Sequence, residues 1–204
     1  MSGKFVTVGL LVAMSLATIP ARAQDEPRQE ISAQGTGFFT KDSNGGGIAQ
    51  HSTNTGGFVA SYRYHFSEWL AADASYGYIR NTQQNFTSSN VYNVQASIHE
   101  ATSALVVTVP THAFRFQPYV LAGAGALVFD PTGKVGGFVP GATTQAKVAF
   151  VYGGGVDWNL SQHLAIRAEY RGFVYGRPDF GLPALHSGAV TNTAQPSAGI
   201  VFRF

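Results

Sequence analysis

Phe58-Val59-Ala60-Ser61-Tyr62-Arg63-Tyr64-His65-Phe66 changes character at every step: Phe58, Ala60, Tyr62, Tyr64 and Phe66 occupy one phase, Val59, Ser61, Arg63 and His65 the other. Side chains that reverse direction at each residue give a β-strand this period of two, whereas a helix repeats at about 3.6. One phase is free of charge and the other carries it, so the strand meets two different surroundings. Beyond Ser67-Glu68-Trp69 the pattern resumes, with Ala72, Ala74, Tyr76 and Tyr78 against Asp73, Ser75 and Gly77. The two segments are predicted to form a hairpin.

The same habit returns between Gln145 and Trp158, where Val148, Phe150, Tyr152, Val156 and Trp158 oppose Lys147, Ala149, Gly153, Gly155 and Asp157. Leu160-Ser161-Gln162-His163 reads as its turn. The return strand sets Leu164, Ile166, Ala168, Tyr170 and Val174 against Arg167, Glu169 and Arg171, three alternating charges that no helical period explains. Glu30 to Phe39, Tyr92 to Val109, Arg115 to Phe129 and Gln195 to Phe204 bring the count to eight strands. Both phases before Glu100 carry polar residues, so a bulge is expected there. Connections near Glu68, Thr111 and Ser161 are short. They alternate with long ones, Lys41 to Asn54, Asn81 to Val91, Asp130 to Thr144 and Gly176 to Thr193.

Cysteine is absent, which excludes disulfides, cysteine-ligated zinc, a thiol nucleophile and a lipidated cysteine. Lys4, the apolar run Phe5 to Ile19, Pro20 and Ala21-Arg22-Ala23 before Gln24 read as a cleaved signal peptide over residues 1–23, leaving one domain over 24–204. That run is shorter than the roughly 20 residues of a spanning helix, and no later segment reaches about 18 consecutive apolar residues. Only a closed barrel could then cross a membrane. Cleavage removes two of the 13 basic residues, Lys4 and Arg22, leaving 11 against 11 acidic. The mature chain is formally neutral and gives no argument for a nucleic-acid partner.

Alternation alone allows either an apolar exterior facing lipid or an apolar interior holding a ligand, as in a secreted lipocalin-type barrel. The charges decide for lipid outside. Arg63, Asp73, Asp157, Arg167, Glu169, Arg171 and Arg203 share the phase that becomes the lumen, and the opposite phase is nearly free of charge. Tyr62, Tyr64, Tyr78, Trp158, Tyr170 and Tyr175 lie near strand ends, where amphipathic rings form girdles at the two membrane interfaces. Gly123, Gly125, Gly153 and Gly155 are expected to face a lumen too narrow for large side chains on every strand. The architecture is therefore read as an all-β, eight-stranded antiparallel up-and-down transmembrane β-barrel.

Pro118-Tyr119-Val120-Leu121-Ala122-Gly123-Ala124-Gly125, Tyr152-Gly153-Gly154-Gly155-Val156-Asp157 and Leu164-Ala165-Ile166-Arg167-Ala168-Glu169-Tyr170-Arg171 carry a resemblance to the OmpA/OmpX type of small outer-membrane β-barrel. It spans essentially the mature chain, most strongly residues 115 to 204. The resemblance implies a location in the cell outer membrane, with short periplasmic turns, longer extracellular loops and both chain ends in the periplasm. It also makes the C-terminal strand, with Ala198, Ile200, Phe202 and Phe204 on one face, a signal for the barrel-assembly machinery, and Phe202 and Phe204 its aromatic element. Outer-membrane lipids are the expected surroundings, the protein is expected to be a monomer, and no peptidoglycan-binding domain is expected after Phe204. Such motifs specify architecture better than activity.

Within the lumen, Arg63, Asp73, Glu100, Asp157, Arg167, Glu169, Arg171 and Arg203 are expected to pair, since an unpaired buried charge is costly. A filled lumen implies a structural or surface-interaction protein; a gated, narrow, low-conductance channel is the alternative. Some small outer-membrane barrels modify lipid A acyl chains with Ser, His and an acid. Ser97, His99 and Glu100 invite that comparison, but Glu100 points away from the other two, and no catalytic residue is assigned. His51-Ser52 and His186-Ser187 fall in expected loops. The six histidines lack metal-site spacing, so neither metal nor cofactor is expected. The long loops, with Phe86, Phe138 and Phe180, are the expected contact sites for a surface ligand.

Overall fold

The hairpin read from the alternation forms between β4 (Thr55–His65) and β5 (Leu70–Phe86), with Arg63 opposite Asp73. Its turn closes through Phe66 and Ser67 N–H groups, which donate to the Leu70 carbonyl at 2.9 and 3.2 Å, while Ser67 Oγ accepts from Leu70 N–H at 3.1 Å. The connection between β8 (Gln145–Asn159) and β9 (Leu164–Gly176) repeats this chemistry. There Leu160 and Ser161 donate to the Leu164 carbonyl and Ser161 Oγ accepts from Leu164. An apolar residue, serine, two further residues and leucine thus make the same tight turn twice.

This computed structural model describes residues 27–41, 43–45, 48–52, 55–86, 91–109, 115–131, 143–180 and 189–204. The expected signal peptide and the turn near Thr111 lie outside them. The remaining strands are β1 (Gln29–Thr40), β2 (Ser43–Gly45), β3 (Ile48–Ser52), β6 (Val91–Thr108), β7 (Phe116–Pro131) and β10 (Val190–Arg203). Eight of them, β1 and β4 to β10, pair antiparallel into a closed ring, with β10 against β1 at the seam. Following cross-strand partners from Glu30 through Arg63, Asp73, Ala104, Gly123, Val151, Phe173 and Thr193 returns to β1 at Thr40, ten residues higher. That stagger over eight strands tilts them by about 40° and leaves an interior just wide enough to fill with side chains.

Three expectations are corrected by the pairing. No bulge interrupts β6, whose register with β5 runs unbroken from Val91 opposite Phe86 to Val107 opposite Leu70. The polar residues before Glu100 belong to a strand that runs regularly from Val91. Most of Asn81 to Val91 is likewise strand rather than loop, including Thr82-Gln83-Gln84-Asn85. His51 and Ser52, read as loop, belong to β3, which pairs with the upper end of β5.

The barrel inverts the polarity of a soluble domain. Ile31, Phe58, Leu105, Val120, Val148, Phe150 and Ile200 are exposed on its outside, while arginines and carboxylates fill its interior. The lumen divides along its axis. The ion-paired layer occupies the short-turn end, and Phe38, Ile79, Ile98, Leu127, Phe129 and Phe173 pack toward the long-loop end, where Arg177 is also buried. At Gly155 a Cβ would lie 2.5 Å from the Tyr119 hydroxyl, so glycine clears space for that ring. At Gly155, as at Gly123, Gly125 and Gly153, a Cβ would also meet the neighbouring strand's backbone, and glycine permits close strand approach.

Candidate functional site

Register alone brings opposite charges together in the lower lumen. Glu30 on β1 stands between Arg203 on β10 and Arg63 on β4, Arg63 faces Asp73 on β5, and Asp157 faces Arg167 across β8 and β9. Arg167 grips Asp157 with two parallel bonds, Nε to Oδ1 and Nη2 to Oδ2, both 2.7 Å, and Nη2 also reaches Glu30 Oε1. Arg203 links Glu30 Oε2 at 3.0 Å to Asp157 Oδ2 at 2.8 Å. Arg63 donates to Asp73 Oδ2 at 3.2 Å and Glu169 Oε2 at 3.4 Å. Arg171 completes the circuit with Glu169 Oε1 at 2.6 Å and Asp73 Oδ1 at 3.0 Å, and donates to the hydroxyls of Ser75 and Thr102.

Four acids and four arginines therefore form one neutral network. Tyr119 sits at its centre. Its hydroxyl donates to Glu169 Oε2 at 2.6 Å, and the guanidinium carbons of Arg63 and Arg167 lie 4.5 and 5.3 Å from its ring centroid. Attraction between each cation and the ring face holds two like charges near one another. Planar, bidentate guanidinium–carboxylate pairs are also the geometry that best offsets the desolvation of buried ions.

Arg63, Asp73, Asp157, Arg167, Glu169 and Arg171 lie buried in this layer, with Arg203 at its partly open rim. Glu100 is placed apart, higher in the lumen: Oε2 accepts from Gln195 at 2.7 Å, and Oε1 has no hydrogen-bond partner among the described residues. Sequence reasoning missed Glu30, the most connected acid, and Tyr119. The signal for Glu30 was available: Glu30, Ser32, Gln34 and Thr36 alternate with Ile31, Ala33, Gly35 and Gly37, the same polar-in pattern as β9.

Tyr62, Tyr64, Tyr78, Trp158 and Tyr170 lie on the outward face. Tyr175 does not, and its assignment to a girdle is corrected. It shares the phase of Arg171 and Phe173, is 3% exposed, and bonds Thr193 Oγ1 at 2.9 Å inside the lumen. Phe202 and Phe204 are exposed outward and stack at 6.2 Å.

Phe180 is also corrected, from a surface contact to a buried plug. It is 0% exposed and its ring meets Phe129 edge-on at 6.4 Å. Its φ of 53° lies in the left-handed region, a conformation that costs a bulky residue about 1–3 kcal/mol. The surroundings impose it. Asp179 and Phe180 N–H groups donate to Gln145 Oε1 at 2.9 and 3.3 Å, Gln145 Nε2 donates to Asp179 Oδ1 at 2.7 Å, and Thr143 N–H donates to the Phe180 carbonyl at 2.9 Å. The side chain of Phe86 and the whole of Phe138 lie outside the described residues.

Ser97 and His99 share the outward face but engage different tyrosines, Ser97 Oγ with the Tyr78 hydroxyl at 3.2 Å and His99 Nδ1 with that of Tyr76 at 2.7 Å. Glu100 points into the lumen. The three do not form a nucleophile, base and acid in series.

A family model described as "Outer membrane protein beta-barrel domain" matches residues 9–204. No curated protein sequence matches the chain. Among solved structures, OprG from Pseudomonas aeruginosa is similar with a TM-score of 0.64 at 12% identity, covering 88% of this chain and 96% of OprG. Neisserial surface protein A is similar with a TM-score of 0.61 at 14% identity, covering 86% of this chain and 97% of its own. Ail, the attachment invasion locus protein of Yersinia pestis, solved with the heparin analogue sucrose octasulfate, is similar with a TM-score of 0.55 at 20% identity, covering 88% and 99%. At these identities the structural likeness speaks to fold.

Proposed function

The chain belongs to the outer membrane protein beta-barrel domain family, and from that premise we propose that it is a non-conducting, non-enzymatic barrel that reinforces the outer membrane and presents its long loops to a surface ligand. The observation that carries this reading is the doubly filled lumen, ionic at the short-turn end and sealed by Phe38, Phe129 and Phe180 at the other. An ion would have to break charge-assisted pairs and then enter an apolar layer. In planar bilayers the inserted protein is expected to stay electrically silent. Stable unitary conductance that shifts when Arg167 or Glu169 is neutralised would replace this reading with that of a narrow channel.

An orientation with both chain ends in the periplasm accords with tight turns at one end and long connections at the other. The export signal over residues 1–23, a monomeric state and recognition of the last strand by the barrel-assembly machinery belong to the same proposal. The exposed, stacked Phe202 and Phe204 support the last of these, because outward aromatics make no contribution to luminal packing. Deleting Phe204 is expected to reduce the folded protein recovered from outer membranes several-fold while leaving refolding into detergent intact. Equal recovery of both forms from cells would refute that role. Ail was solved with a sulfated saccharide; an anionic saccharide is accordingly one ligand class to test on the loops.

A further inference from the structure

The outward phases of the barrel strands carry no charge over most of their length. On β5 the first to appear is Arg80, the tenth residue after Leu70. At about 3.3 Å per residue and a tilt of about 40°, ten residues climb roughly 25 Å, the height of the apolar band of outer-membrane barrels. Arg80 therefore stands at the upper rim of that band, on the long-loop side.

The luminal arginines of the ionic layer are each matched to carboxylates. Arg80 is not: its side chain is exposed, its guanidinium donates to the Tyr78 hydroxyl at 3.4 Å, and among the described residues no carboxylate lies within ion-pair distance. Strand register sets Ser97 beside Arg80 and His99 beside Tyr78. Tyr78 also bonds Ser97, and the His99 ring meets Tyr78 edge-on at 5.2 Å. The Tyr76 hydroxyl and His99 Nδ1 share a hydrogen bond at 2.7 Å. Asp130, opposite Ser97, is the nearest outward carboxylate in the register, and it accepts from Thr144 Oγ1 at 2.7 Å.

We propose that Arg80, with Tyr78 and His99 beside it, forms an outward-facing site for a phosphate group of a phosphorylated glycolipid in the outer leaflet. A guanidinium offers parallel donors that match phosphate oxygens, and the polar tips of Tyr78 and His99 flank it at headgroup depth. An unpaired cation at a lipid interface takes its counter-charge from the lipid. The leaflet assignment rests on the orientation proposed above; the phosphate chemistry does not.

The test uses protein extracted in detergent from outer membranes, titrated with bisphosphorylated lipid A or its dephosphorylated form and read by native mass spectrometry. The bisphosphorylated lipid is expected to bind at least tenfold more tightly than the dephosphorylated one. Arg80→Gln should abolish the difference, Arg80→Lys should keep part of it, and Lys41→Gln should leave it unchanged. Heat-dependent gel mobility verifies that each variant is a folded barrel. Equal binding of the two lipids to the unaltered protein, or undiminished discrimination by folded Arg80→Gln, would overturn the site. Protease cleavage of the long loops on intact cells reports orientation independently, and their protection would overturn the outer-leaflet assignment alone.

Discussion

Replacing Arg167 with Met should cost about 3–5 kcal/mol of unfolding free energy, the penalty for stranding a buried charge. Its bidentate hold on Asp157 and its contact with Glu30 disappear together, turning a network of four acids and four arginines into one with an unmatched negative charge. Nothing nearby can replace it, because Arg203 already serves both carboxylates and Arg63 already serves Glu30. Arg203→Met is the informative comparison: that side chain is 13% exposed at the rim, where water can solvate the acids it leaves. It should cost about 1 kcal/mol, nearer the value of an exposed pair. Urea titration of both variants in lipid vesicles reads the difference. Equal losses would mean that burial does not govern the energetics of this layer. Adding Asp157→Asn to Arg167→Met should recover part of the loss by restoring the charge balance.

Phe180→Ala should lower stability by about 3–5 kcal/mol, the usual range for emptying a buried phenylalanine site. A second variant separates packing from backbone strain. At most positions glycine is less stable than alanine, but a residue held at φ 53° reverses that order, since only glycine occupies the left-handed region without a Cβ penalty. Phe180→Gly is therefore expected to exceed Phe180→Ala by about 1 kcal/mol. The ordinary order, alanine above glycine, would show that the 177–180 segment does not hold this conformation. Neither variant is expected to conduct, because the ionic layer beneath still closes the lumen; a pore in Phe180→Ala alone would assign the seal to that one ring.

What could be read from the chain follows from where two solvents meet it. Strands β4, β5, β8 and β9 lie between lipid and lumen, so each residue is sorted by polarity and the period of two is plain. Arg63, Asp73, Asp157, Arg167, Glu169 and Arg171 followed from that sorting. Above the apolar band the sorting stops, and the polar extensions of β5 and β6 resembled loop. Tyr175 has the residue type of a girdle, but its phase, two residues from Phe173 and four from Arg171, puts it inside. Phe180 was beyond reach for another reason. Its burial depends on a glutamine thirty-five residues away holding the chain turned inward, and no local pattern encodes that contact. The pairing partners within the network were equally hidden, because they depend on the stagger between strands.

The stagger and the ion pairs together bear on how the barrel closes. Glu30 and Arg203 are 173 residues apart and meet only when the first and last strands join. Until then both strands present open edges, and loop entropy opposes the joining. A mismatch of one residue would turn Arg203 toward the membrane; a mismatch of two would set it against Ser32 and leave Glu30 without its cross-seam partner. The Glu30–Arg203 pair thus exists only in the one seam register that closes the barrel, and a shifted seam would lose it whatever the pair contributes to the finished structure.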